Sequence, residues 1–168
     1  MAYPSSYAPT SSMVGIDLNN ASTTQLFALG THVQGSNNSE WVYVQIGATL
    51  VTAYKAVAFN NAYTCGQASG ADILAGMQIG VAQTAMATSA FGWVAIRGAM
   101  GVMTTNSATA TAQGIYLAAS GATTGVFSNF TSASGTMAGI SFVSVAQTAT
   151  MTVTGAILSW PRGGAPGL

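Results

Sequence analysis

Residues 79–103 read IGVAQTAMATSAFGWVAIRGAMGVM and hold two short runs of strand character, 79–83 and 91–97, joined by a Thr/Ser/Ala connection. In the second run Phe91, Trp93, Ala95 and Arg97 fall on one side of an extended chain, and Gly92, Val94 and Ile96 on the other. That is a period of two, which a helix does not produce. Residues 40–46, EWVYVQI, repeat the layout, with Trp41, Tyr43 and Gln45 against Val42, Val44 and Ile46. A strand with one aliphatic and one aromatic face needs cover on both sides, so these two runs predict a sheet with both faces packed.

The remaining pattern fills in around them. Residues 25–33, QLFALGTHV, predict a first strand, and the GSNN turn at 35–38 joins it to 40–46 as a hairpin, since Gly and Asn tolerate positive φ. Residues 56–59 are a short strand and 60–71 a loop rich in Asn, Gly and Ser. Residues 71–75 fit one helical turn before Gly76, with Ser69 and Asp72 at capping-box spacing. The polar run 104–113 predicts a surface loop or poor strand, 114–117 a short strand, and 120–136 a Gly/Ser/Thr segment anchored by Val126, Phe127 and Phe130. The last strands are 140–145 and 150–160. In the latter Thr152, Thr154, Ala156, Leu158 and Trp160 share a face, and Pro161 should end it for want of a donor.

Many short strands and no amphipathic helix predict an all-β fold, a compact β-barrel or β-sandwich of jelly-roll or tulip-like form. Residues 25–162 make one domain. Residues 1–24 read as an extended arm, because Pro4 and Pro9 stand among Ser, Thr and Tyr. Tyr3 and Tyr7 in that arm suit docking on another chain. Residues 163–168 read as a flexible tail. VAQTA occurs at 81–85 and again at 145–149, each followed by an aromatic run and an Arg-Gly, which hints at a duplicated layout.

Charge changes the picture most. Of 168 residues only 4% are charged: Lys55, Arg97 and Arg162 against Asp17, Glu40 and Asp72, a net of zero. An average domain carries about 25%. With 49% hydrophobic residues the chain is not of the disordered class, and no apolar run approaches the ~18 residues of a membrane-spanning helix. So little repulsion predicts a surface covered by copies of itself or by a partner. The N-terminus shows no basic segment followed by an apolar one, so the chain is expected to be made in the cytoplasm.

The residues for chemistry are few. His32 is the single histidine, and no G-x-S-x-G elbow accompanies it. The three carboxylates lie far apart in sequence. Cys65 is alone, and reads as a buried structural thiol. There is no metal-ligand cluster, no nucleotide-cradling Gly-rich loop, and three scattered cations make no nucleic-acid footprint. The chain is therefore expected to be no enzyme and to hold no metal or cofactor. Arg97 and Arg162 each end an aromatic-bearing strand, in WVAIR and LSWPR. With Trp41, Tyr43, Trp93 and Trp160 they are candidate contacts to a partner or to a second copy, as are Tyr3, Pro4 and Tyr7 of the arm.

Four motifs carry a resemblance: Leu29-Gly30-Thr31, Tyr43-Val44-Gln45, Gly80-Val81-Ala82-Gln83 and Gly92-Trp93-Val94. With their surroundings, over about residues 25–160, the chain resembles the capsid decoration (cement) proteins of tailed bacteriophages. The resemblance implies a small all-β protein on the outer surface of an icosahedral shell. It would be a homotrimer at threefold positions, clamping neighbouring major capsid protein subunits without catalysis, nucleic acid or membrane. The alternative is a virion fibre or adhesin domain that stacks a host glycan on aromatic strand faces such as Trp41 and Tyr43.

Overall fold

In a computed structural model of the protein the described residues are 16–104, 117–119, 125–129, 136–142 and 152–164. Tyr3, Pro4, Tyr7 and Pro9, nearly all of the 104–113 loop, Phe130, the second VAQTA copy and residues 165–168 lie outside them. The elements are β1 (His32–Gly35), β2 (Ser39–Ile46), β3 (Ala56–Phe59), β4 (Thr64–Gln67), α1 (Gly70–Leu74) and β5 (Gln78–Ala82). They continue with β6 (Phe91–Thr104), β7 (Leu117–Ala119), β8 (Phe127–Asn129), β9 (Thr136–Phe142) and β10 (Thr152–Gly164). The fold is all-β, as the alternation predicts.

The ten strands form one sheet, and five of them close on themselves. β2 pairs β4 in parallel, β4 pairs β3, β3 pairs β5, β5 pairs β6, and β6 returns to β2, these four antiparallel. The ring has two distinct cores. One gathers Val42, Val44, Ile46, Val57, Phe59, Cys65, Ala82, Val94 and Ile96, side chains from all five ring strands, and is the ring's interior. The other sets Trp41, Tyr43, Trp93, Ile79 and Val81 on the outside, against Leu18, Ile73, Met100, Ile140 and Leu158 from the rest of the chain. The aliphatic and aromatic faces of β2 and β6 thus separate into inside and outside. A five-stranded ring has little room, and glycine supplies it. A Cβ on Gly92 would lie 2.5 Å from Met86 Sδ, and one on Gly80 3.0 Å from Val94 Cγ2.

β6 belongs to two regions. Its first half pairs β2 and β5. From Arg97 onward it pairs β10, Ser159↔Arg97 to Thr152↔Thr104. The change falls at Gly98, whose φ of +105° a side chain would not tolerate with Ser39 Cα 2.9 Å from its Cβ position. The second half of β6 is held at Gly101 by the buried side chain of Gln83. Its Nε2 donates to the Gly101 carbonyl at 2.9 Å and its Oε1 accepts from Gly101 N at 3.2 Å. The edge that β6 would otherwise leave open is satisfied by one side-chain amide.

Several expected boundaries shift. The GSNN hairpin forms with Asn37 and Asn38 both at φ +57°, but β1 starts only at His32, not at 25. Gly30 takes φ +81° with the Tyr63 ring where a Cβ would lie, and there the pairing continues only as bonds of Gly30 N and the Thr31 carbonyl to Tyr43, at 2.8 and 2.9 Å. The arm is not free up to residue 24. Leu18 is fully buried, and Ser22 exchanges two backbone hydrogen bonds with Phe91, at 2.9 and 2.8 Å. Residues 16–24 therefore belong to the domain. The expected helical turn is α1. Ser69 Oγ accepts from Asp72 N at 3.3 Å, Asp72 Oδ2 accepts from Ser69 N at 2.8 Å, and Gly76 follows at φ +72°. Pro161 does not end the last strand, for a reason that also builds the site below.

Candidate functional site: a groove at the Trp160 corner

β10 runs antiparallel to β9 in register as far as Leu158↔Ile140, and again from Arg162↔Ala138. Three residues of β10 face one of β9 in between, so the strand bulges. Gly139, at φ +82°, makes the bulge possible: a Cβ there would run into the Ser159 carbonyl oxygen, and lie 3.3 Å from Pro161 Cα. The ladder needs no donor from Pro161 inside a bulge, which is why the strand continues past it. Trp160 takes φ +47°, a left-handed backbone that a bulky side chain enters only under constraint. The distortion turns its ring away from the face of Ala156 and Leu158, and the ring is 48% exposed. Arg97 lies over it, with Cζ 4.8 Å from the ring centroid.

The turned ring walls a cavity of about 220 Å³ that His32, Phe59, Tyr63, Gln78 and Arg162 also line. A second cavity of about 450 Å³ shares Phe59, Gln78 and Arg162 with it and extends past Asn60, Asn61 and Met77. The two lie side by side over these shared residues, and the first is the groove at the Trp160 corner. Tyr63 stacks on Phe59, with centroids 6.1 Å apart and planes at 24°. Its backbone, like that of Trp160, is left-handed, at φ +57°. Asn60 Oδ1 holds that turn by accepting from Ala62 N at 2.9 Å and Thr64 N at 3.1 Å. His32 Nδ1 lies 2.9 Å from Glu40 Oε1, which leaves Nε2 as its unbonded nitrogen.

The expected contact residues divide cleanly. Arg97, Trp160 and Arg162 come together here. Trp41, Tyr43 and Trp93 do not belong to any surface: they are 0%, 2% and 2% exposed. Their aromatic face is covered by Phe27, 5.3 Å from both Tyr43 and Trp93, and by the second core. The polar atoms of Trp41 and Tyr43 are satisfied inside. Tyr43 Oη accepts from Leu26 N at 3.1 Å, and Trp41 Nε1 donates to Ser39 Oγ at 3.1 Å. A glycan stacked on Trp41 and Tyr43 is therefore ruled out. Tyr63, Gln78 and Asn61 are additions. The NNAY run signals a turn at Tyr63, but nothing local places it opposite Trp160.

Cys65 lies in the ring interior, where burial pushes its thiol up to about 12. Such a thiol is protonated and inert at neutral pH. Among the described residues no three His, Cys, Asp or Glu side chains gather into a metal-binding group. No helix among them is long and apolar enough to cross a membrane. Compared with protein-family models and with curated proteins, the chain matches none.

Proposed function

We propose that the protein is a structural component of a phage virion. It decorates the outer surface of an icosahedral capsid and braces neighbouring major capsid protein subunits, as a homotrimer at threefold positions, without catalysis. The observation that carries this reading is the pairing of an almost uncharged chain with large apolar side chains left outside on ordered backbone. Leu26 is 59% exposed and Leu50 53%. Both sit toward the end of the ring where β6 begins. Leu26 lines a small cavity with Phe91, and its backbone N–H donates to Tyr43 Oη. The Leu50 carbonyl accepts from Gln67 Nε2 at 2.8 Å, and Val51 exchanges backbone bonds with Met86. Apolar groups presented on fixed backbone lose little further freedom on docking, so their burial goes into affinity. Repeated at symmetric positions, modest contacts sum to a large effect on the shell. The resemblance to decoration proteins in the four motifs supports the same reading.

The test is stoichiometry. Particles carrying the chain are purified, and it is quantified against the major shell subunit by mass spectrometry. The expected ratio is near one to one. A few copies per particle would move the protein to a vertex, fibre or tail, and absence from particles would end the reading.

A further inference from the structure

We infer that the groove between Trp160, Tyr63 and Arg162 is a binding site for a carboxylate-bearing sugar ring. The inference stands on the groove alone and does not rest on the capsid reading.

Charge points to an anion. The chain has three cations, and two of them flank Trp160: Arg97 lies over its ring and Arg162 lines the same cavity. The third, Lys55, is bonded to Gln67 Oε1 at 2.9 Å. Of the three carboxylates only Glu40 is near, and it is bonded to His32. Asp72 is held in the α1 cap, and Asp17 lines the cavity beside Phe91. Arg162 is exposed and has no acidic partner among the described residues. Its planar fork matches a carboxylate bidentately.

Shape and polarity point to a sugar. The Trp160 ring is held by Arg97 on one face and lines the cavity, offering a flat apolar platform to the C–H face of a pyranose. The Gln78 and Asn61 amides, each a donor and an acceptor, suit the hydroxyls around such a ring. The Trp160 cavity holds about 220 Å³, and the adjoining one, about 450 Å³, lies in the size range of small-molecule sites, roughly 300–1,000 Å³. Both aromatic walls, Tyr63 and Trp160, stand on left-handed backbone. Strain of that kind persists where the surrounding structure enforces it, and it concentrates at ligand sites.

The test uses the full chain, titrated with D-glucuronic acid, N-acetylneuraminic acid, D-glucose and acetate, and followed by calorimetry and by the Trp160 indole signal. One of the two acidic sugars is expected to bind saturably, and which one does tells a uronate from a sialic-acid source. Glucose and acetate should bind at least tenfold more weakly. Arg162→Gln should weaken the acidic sugar at least tenfold with an unchanged melting curve. Trp160→Gly, which relieves the backbone rather than straining it, should abolish binding while the fold remains. Absence of binding by both acidic sugars up to about 50 mM, a range that covers the weakest specific sites, overturns the proposal. So does equal affinity for glucose, or full affinity in Arg162→Gln. If Arg162→Gln instead lowers occupancy on particles and leaves sugar binding untouched, the groove is a capsid contact and the sugar assignment fails.

Discussion

The interior of the ring and the Trp160 corner are built from the same kind of strand, yet alternation holds in one and is broken in the other. Inside the ring, Val42, Val44 and Ile46 of β2 and Val94 and Ile96 of β6 follow it without exception. At the corner, Ala156 and Leu158 obey it and stay buried, while Trp160, the next residue in the same series, is 48% exposed. The difference is the partner strand. β2 and β6 pair residue for residue from Trp41↔Ala95 to Gln45↔Phe91, with a shift only before Trp41, and β5 adds a second neighbour at Val94 and Ala95. β10 loses its register with β9 for three residues, and there the backbone can turn a side chain out. Regular pairing builds the core, and a local failure of pairing builds the surface most fit to bind.

The two tryptophans give the sharpest way to break that comparison. Trp93→Ala empties a fully enclosed site and should destabilise the fold by about 3–5 kcal/mol in denaturant unfolding. A loss below about 1 kcal/mol would mean that the aromatic face is not a core at all. Next comes the glycine that allows the bulge. Gly139→Ala places a methyl against the Ser159 carbonyl at a positive φ, and should cost about 2–3 kcal/mol. It should also shift Trp160 fluorescence, because the bulge cannot keep its form. An unchanged emission spectrum would show that Trp160 is positioned by something else.

Cys65 probes the ring interior through pH. Its folded value is raised from 9.0 to about 12, so the folded state keeps a proton that the unfolded chain releases above pH 9. The thiol's contribution is therefore fully present below pH 9 and is lost as pH rises toward 12, at about 1.4 kcal/mol per pH unit. Cys65→Ala should flatten that part of the stability profile relative to the parent chain, and a thiol reagent at pH 8 should label only unfolded protein. Rapid labelling of native protein would place Cys65 outside the core. The smallest effect belongs to Trp160→Ala. It loses a cation–π contact of about 0.5–1 kcal/mol while Ala keeps the same left-handed backbone, so stability should fall by no more than about 1 kcal/mol. A loss comparable to that of Trp93→Ala would make the corner a core element and not a binding surface.

Much of the local structure was legible in advance because it depends on near neighbours in sequence. The two-faced runs at 40–46 and 91–97, the Gly/Asn hairpin and the Ser69–Asp72 cap each need only the residues they contain. The candidate contacts were legible only in part. Of the aromatic–cation pairs at strand ends, Arg97 lies over Trp160, and Arg162 lines the same cavity as that ring. Trp41, Tyr43 and Trp93 looked equally suited to a partner, because a strand pattern names two faces without saying what covers each. The cover comes from Leu18, Phe27, Ile73, Met100 and Leu158, the last of them 117 positions from Trp41 in sequence. Leu18 falls in the stretch that reads as an arm, because the prolines before it say nothing about where the following chain docks.

What the sequence determined by itself is the all-β class, the two-sided packing of β2 and β6, and the position of the tight turns, because φ/ψ preference and side-chain alternation act within a few residues. What only the tertiary structure decided is which face lies inside the ring, where β10 slips against β9, and that Tyr63 and Arg162 stand across a groove from one another. Those depend on closure of five strands and on one glycine, Gly139, facing a carbonyl twenty residues away. Pairing between distant strands is a global minimum of packing and hydrogen bonding, and no short window of sequence contains it.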